Sequence, residues 1–451
     1  MKKMRKLIAI FALLAIAMTA VFADGNLVAR IITVYGAETD YTDFEEALNA
    51  WSDQQTLKLF EDITVNSTIY VGSDNNDSAS YTIDLNNHGI MFNGDSGSVL
   101  FVRGYKSLTI NDSATSKTDR YITLNGYGRG VSVSPNGTES SSCIKVTGGY
   151  ITGGNAVTGE NNKGGGVYLG NNVYESTMNG GTIVGNRAAY GGGIYGDVGF
   201  LNIRNDSKIV HNTATLYGGG VYVRKAGVYI ADSPQIIDNV ISGVASNVCL
   251  NHENNDTAIH IGINSLSDSL SVNARIGVNV RSGHSKIITR DLCGNTDDAR
   301  GTATNFISDD PSYNVILNSD GEVVLALPIT ANVDPSHAGV YYATYYDSAK
   351  SYVADANTEV YYASANANGK LTLVKVNDKI IKAGEGVILK SSSATITLIE
   401  TTQSATYDSI LTGSNTATTV TNALVLSCGE NGVHFYKYTG SVVAHKAWLT
   451  E

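Results

Sequence analysis

The stretch Leu216–Gly227, LYGGGVYVRKAG, decides how the chain is read. Three glycines next to a β-branched residue and a tyrosine fit either a phosphate-cradling loop or one copy of a structural repeat. A phosphate loop needs Gly-Lys-Ser/Thr behind the glycines and a helix opening after them. Neither follows Gly220. The pattern recurs instead: GGGVYLGNN starts at Gly164, GGGIYGDVG at Gly191 and GGGVYVRKAG at Gly218, in steps of 27 residues. One further step of 27 reaches Ala245 and ASNVCLN, where Val248, Cys249 and Leu250 replace Val221, Tyr222 and Val223. A second column accompanies the first, with TIVGN ending at Asn186, KIVHN at Asn212 and QIIDN at Asn239. YITGGN, ending at Asn155, reads as a looser earlier copy.

Each motif is a short alternating apolar run, hence a strand with one buried face. A unit of this length cannot bury that face alone, but stacked units can. Such stacking predicts an all-β fold, a right-handed parallel β-helix with coils of about 27 residues. Gly164, Gly191 and Gly218 are expected at sharp turns or close approaches between coils. Asn186, Asn212 and Asn239 are expected in a turn that tolerates a left-handed backbone, their amides bonding to the coils above and below. Val167, Ile194 and Val221 should stack inside. Alternation then puts Tyr168, Tyr195 and Tyr222 outside, one ring per coil, with Cys249 ending the ladder. Rings so placed can bind sugar or protein, or they can simply stack on one another and cover the sheet. Both readings stay open.

GGG-[VI]-Y alternating with I-x-x-N resembles the repeats of chlamydial polymorphic outer-membrane proteins. It is more similar still to exported β-helix repeat proteins of gut and oral bacteria. The flanking segments TDFEEALNAW, TIDLNNHGI and SLTINDSA, then NARIGVNV and NFISDDPSYNVILNSDGEVVLAL, resemble the latter over roughly residues 30–327. Ile183, Ile209 and Ile236 stand where the polymorphic proteins carry Phe, and no C-terminal translocating barrel is evident. The resemblance implies an adhesin-like surface role; outer-membrane anchoring does not carry over from the chlamydial proteins.

Lys2, Lys3, Arg5 and Lys6, the apolar run Leu7–Ala17 and Val21-Phe22-Ala23 predict a signal peptide over residues 1–23, cleaved after Ala23. The expected location is secreted or at the cell surface. No later segment is long and apolar enough to span a bilayer. Without the four cations of that segment, 27 Lys and Arg face 42 Asp and Glu, a net charge of −15. Such acidity disfavours nucleic acid as a partner. Residues 24–328 form the expected β-helix with its N-terminal cap. Thr42 and Glu45 have capping-box spacing, and Phe44, Ala47, Leu48 and Trp51 follow as an amphipathic stripe, assigned to covering the open end. From residue 329 to 451 the glycine triplets stop. Runs such as GVYYATYY, TEVYYASA, KLTLVKV and VHFYKY predict a smaller antiparallel β module, which looks like C-terminal modules of secreted Bacteroidetes-type surface proteins. Cys143, Cys249, Cys293 and Cys428 show no framework spacing and are expected as mostly buried, unpaired thiols.

Parallel β-helices also host lyases and hydrolases of acidic polysaccharides, whose chemistry needs clustered carboxylates and a base on one face. The best candidates are Asp206 and Asp232, 26 residues apart, with Arg204 and Lys208 nearby. RNDSK and ADSPQ, however, have the composition of surface turns. GSDNNDS and GNTDDARGT lack calcium-loop spacing, and His252 and His260 lack further ligands. No G-x-S-x-G or H-E-x-x-H occurs. No catalytic residue, metal or cofactor is therefore assigned. The expected function is non-enzymatic binding of a glycan or a cell-surface protein. A polysaccharide lyase or glycoside hydrolase is the alternative, and a structural spacer the third reading.

Overall fold

The computed structural model describes residues 26–450 apart from 73–76, 95, 115–120, 125–126, 135–141, 158–161, 172, 174, 198, 226, 251–260, 263–269, 281–286, 290–302, 319–320, 369 and 430–431. The expected signal peptide, His252, His260, Cys293, GNTDDARGT and part of GSDNNDS lie outside the described residues. The chain is nearly all β. Its first part is a right-handed parallel solenoid of about seven coils, followed by antiparallel sheets.

One wall is a sheet of ten strands, in which Gln55–Leu59, Ala79–Asp84, Lys106–Asn111, Cys143–Val146, Glu175–Asn179, Phe200–Arg204 and Gly227–Ile230 lie parallel in coil order. The remaining walls are bent from one 21-stranded sheet. Inside, like stacks on like. Ile63, Ile90, Ile122, Ile151, Ile183, Ile209, Ile236 and Ile276 pair coil to coil and end on Phe306. All of them are buried, and each contributes on the order of 2 kcal/mol of hydrophobic stabilisation. The expected column Val167, Ile194, Val221 is present and runs on to Val248 and Val278.

The triplet glycines divide their work. Gly164, Gly191 and Gly218 take left-handed φ of 65°, 62° and 62°. Gly192 and Gly193 lie so close to the next coil that a Cβ would sit 2.4 Å and 2.6 Å from the carbonyl oxygens of Thr213 and Gly220. The asparagine column also forms, with one correction. The left-handed residue is not the asparagine but the one before it: Gly185 (φ 67°), His211 (φ 55°) and Asp238 (φ 58°). That turn aims each buried amide along the solenoid axis. Asn186 N and Nδ2 both donate to Asn212 Oδ1 at 3.0 Å, and Asn212 repeats this to Asn239 Oδ1 at 2.9 Å. Each Nδ2 also donates to main-chain carbonyls, Asn212 to those of Ile183 and Val210. Asn155 does not belong to this column. Its strand pairs it with Arg187, so Gly154 stands at the ladder position and donates to Asn186 Oδ1 at 3.0 Å.

At the N-terminal end the helix spans Phe44–Ala50, and its cap is Asp43 rather than Thr42. The Asp43 carboxylate accepts from Glu46 N at 2.9 Å. YTDFEEA contains two overlapping boxes, and the aspartate takes the cap. The helix adds Ala47 to the core, and Trp51 follows as its C-cap. The end of the ten-stranded sheet is covered by a different element. Ala29–Ile32 pairs antiparallel with both Gln55–Leu59 and the outermost strand Glu38–Tyr41.

At the other end, Val323–Thr330 runs through the expected boundary at residue 328. Its first half pairs with Asn314–Leu317 and its second with Thr395–Thr401. Val323 and Leu325 belong to the solenoid core, while Leu327 and Ile329 pack on a separate core around Tyr345, Tyr352, Leu389 and Leu398. The second part holds Tyr341–Tyr345, Thr358–Ala367, Lys370–Val376 and Val387–Ser391 in one antiparallel sheet. Another contains Thr418–Gly429 and Gly432–Val442. Cys143 and Cys428 are half-buried, and Cys249 is buried.

Candidate functional site

The tyrosine ladder lies where the glycine triplet joins Arg187–Tyr190 to Ile194–Gly196. Ile194 faces the solenoid core, whereas Tyr195 belongs to a separate aromatic cluster outside it. Strand pairing puts Tyr168, Tyr195, Tyr222 and Cys249 in one column. The rings stack at centroid spacings of 5.7 Å for both pairs, with interplanar angles of 12° and 22°.

Outward position does not mean exposure here. Tyr195 is 1% exposed and Tyr222 3%, so the expectation of an open ladder is corrected. The triplet bends the chain sharply enough that a second rank covers the first. Tyr190 lies 5.5 Å from the Tyr222 ring and Tyr217 6.0 Å from both Tyr222 and Tyr190. The outer layer is thus Tyr190 and Tyr217, both half-buried, on an inner column of Tyr195, Tyr222 and Cys249 whose half-buried end is Tyr168. Inspection of the repeat missed Tyr190 and Tyr217, although each directly precedes a glycine triplet.

Charged groups frame the cluster. The Arg129 guanidinium lies 4.1 Å above the Tyr168 ring, and Lys163 Nζ lies 5.2 Å from the Tyr195 centroid, both within cation–π reach. Arg129 Nε donates to Lys163 O at 2.8 Å. Asp197 is buried, pairs with Arg224 and accepts from Tyr195 Oη at 3.3 Å. Burial pushes the Tyr168 and Tyr195 phenols up and the Arg129 guanidinium down. The phenols stay neutral donors, and the Asp197 carboxylate is committed to holding Arg224 and a ring.

The column extends further than the repeat suggested. Tyr168 pairs with Ser132, Ser132 with Phe101, and Phe101 with Tyr70. Arg129 lies beside Ser132, the non-aromatic step between Phe101 and Tyr168.

The alternative catalytic candidates are placed as stacked turns. Asn205 (φ 52°) and Asp232 (φ 64°) have left-handed backbones. Asn205 N donates to Asp232 Oδ2 at 3.1 Å, and Arg204 Nε lies 3.9 Å from the same oxygen. Lys208 is an exposed end of Lys208–Val210. These contacts join one coil to the next. No known protein family, curated protein or solved structure matches the chain.

Proposed function

We propose that this is a secreted or cell-surface, non-enzymatic β-helix protein that binds glycan in the manner of an adhesin. The observation behind the proposal is the two-layer aromatic face. Tyr168, Tyr190 and Tyr217 present ring surface that is held in place from behind by Tyr195 and Tyr222. Rigid tyrosines lose little conformational entropy on binding and offer both an apolar face and a hydroxyl. A sugar ring can lie on such a face, and Arg129 and Lys163 make it tolerant of acidic sugars. Surface location rests on the basic and apolar character of residues 1–23.

The test is a glycan array probed with the full chain and with Tyr190→Ala/Tyr217→Ala, together with incubation on polyuronides. Retention of specific glycans by the wild type, reduced at least about tenfold in the variant, with no product release, supports the proposal. Product release from a polyuronide would establish the lyase or hydrolase alternative instead.

A further inference from the structure

The two sheets of the solenoid begin differently. The antiparallel pair Ala29–Ile32 and Glu38–Tyr41 covers the first strand of the ten-stranded sheet. In the larger sheet, Ile63–Val65 and Ile69–Val71 pair only with the next coil, at Ile90–Phe92 and Ser96–Val102. No other strand among the described residues pairs with their outer edge. Between these two strands and the helix Phe44–Ala50 the surface folds into a cleft of ≈ 810 Å³. That is within the range of small-ligand sites.

Its lining is aromatic and polar together. Phe44 and Tyr70 contribute ring surface, Tyr70 being 55% exposed, and the buried Trp51 lies at the cleft wall. The rings are held from outside the cleft. Arg103 lies 4.4 Å over the Tyr70 ring, Phe101 packs 5.7 Å from it, and Trp51 Nε1 donates to Gln55 O at 3.0 Å. Asp43, Glu45, Asn49 and Asn66 are among its polar groups, and among the described residues the lining contains no Lys, Arg or His. Two carboxylates without a lining cation disfavour an anionic ligand. They accept hydrogen bonds well from hydroxyl groups, while ring faces take the C–H side of a sugar.

We propose that this N-terminal mouth is a second binding site, separate from the tyrosine face, and that it takes a neutral oligosaccharide. The inference shares with the reading above only the class of ligand; none of its residues belongs to the tyrosine cluster, although Tyr70 stands at the far end of the same strand column.

Trp51 reports on the site directly. The chain has two tryptophans, so Trp448→Phe leaves Trp51 as the sole indole. The full-length Trp448→Phe protein is titrated with neutral tetrasaccharides of glucose, mannose, galactose and N-acetylglucosamine, and in parallel with tetragalacturonate and tetralysine. A saturable change in Trp51 emission with a neutral tetrasaccharide, and none with the two charged probes, is expected. Tyr70→Ala and Asn66→Ala should each raise Kd at least about tenfold. Tyr70→Phe, which keeps the ring, should retain binding and controls for folding. The proposal is overturned if no neutral tetrasaccharide moves Trp51 emission, or if only tetralysine or tetragalacturonate does. Glycans captured on the array while Trp51 stays silent would remove this site and leave the glycan-binding reading standing.

Discussion

His211 holds a left-handed backbone, φ 55°, at the turn where the preceding coil uses Gly185, φ 67°. A side chain there costs backbone strain that glycine avoids. His211 is exposed, so His211→Gly should raise stability by about 0.5–1 kcal/mol in denaturant melts. The reverse holds at Gly191. Its φ of 62° is left-handed, and a Cβ would sit 2.2 Å from Ile194 O. Gly191→Ala should cost on the order of 2 kcal/mol or more. Asn212 is another single residue with large leverage. Asn212→Ala removes the acceptor for Asn186 N and Nδ2. It also strips Nδ2 donors from the carbonyls of Ile183 and Val210. Buried groups left unpaired cost about 1–3 kcal/mol each, so a loss of roughly 3 kcal/mol or more is expected from the same melts.

At the scale of elements, the asparagine ladder needs a terminus, and the solenoid changes path to provide it. Val240–Ile241 turns back antiparallel onto Val244–Ala245, bringing Asn247 beneath Asn239 only eight residues later. Asn239 N and Nδ2 donate to Asn247 Oδ1 at 2.9 Å, and Asn247 N and Nδ2 donate to the Asp309 carboxylate at 2.6 Å. Burial pushes the Asp309 carboxyl up to about 6, with the two bonds from Asn247 opposing it. A folded value above the usual carboxylate value means the native state holds the proton longer than the unfolded chain. The contribution of Asp309 to stability is therefore greatest below about pH 4 and declines as pH rises to about 6. The whole decline is on the order of 3 kcal/mol. Asp309→Asn should remove this dependence, so wild-type stability minus variant stability, taken with its sign, should fall from pH 4 to pH 6.5 and then level. A signed difference that stays constant or rises over that range would contradict the assignment. Neither Asn247 nor Asp309 was legible in the repeat, although ASNVCLN was itself in register. The ladder is handed on by a hairpin, and a search at constant spacing cannot see that.

Over the whole molecule, what the chain displayed and what it concealed follow from coil length. Leu169, Gly196, Val223 and Leu250 pair at steps of 27 residues, and there the repeat is plain. Val71, Val102, Val133 and Leu169 pair at steps of 31, 31 and 36, because the segments between their strands differ in length. Three coils with equally buried cores were thus invisible to self-comparison, and with them Tyr70 and Phe101. Alternation placed Tyr195 and Tyr222 correctly outside the core, but burial depends on the neighbouring wall, which alternation does not describe. Their rings carry the packing, and Tyr190 and Tyr217 face outward over them. This division of labour is the central claim, and paired glycan binding and thermal unfolding of Tyr222→Ala and Tyr190→Ala/Tyr217→Ala test it most directly. Tyr222→Ala should lose about 3–5 kcal/mol of stability, as buried aromatic truncations do. The double variant should lose glycan binding at least about tenfold while unfolding at a temperature closer to the wild type than Tyr222→Ala does. Undiminished glycan binding by the double variant, or a Tyr222→Ala protein as stable as wild type, would contradict it.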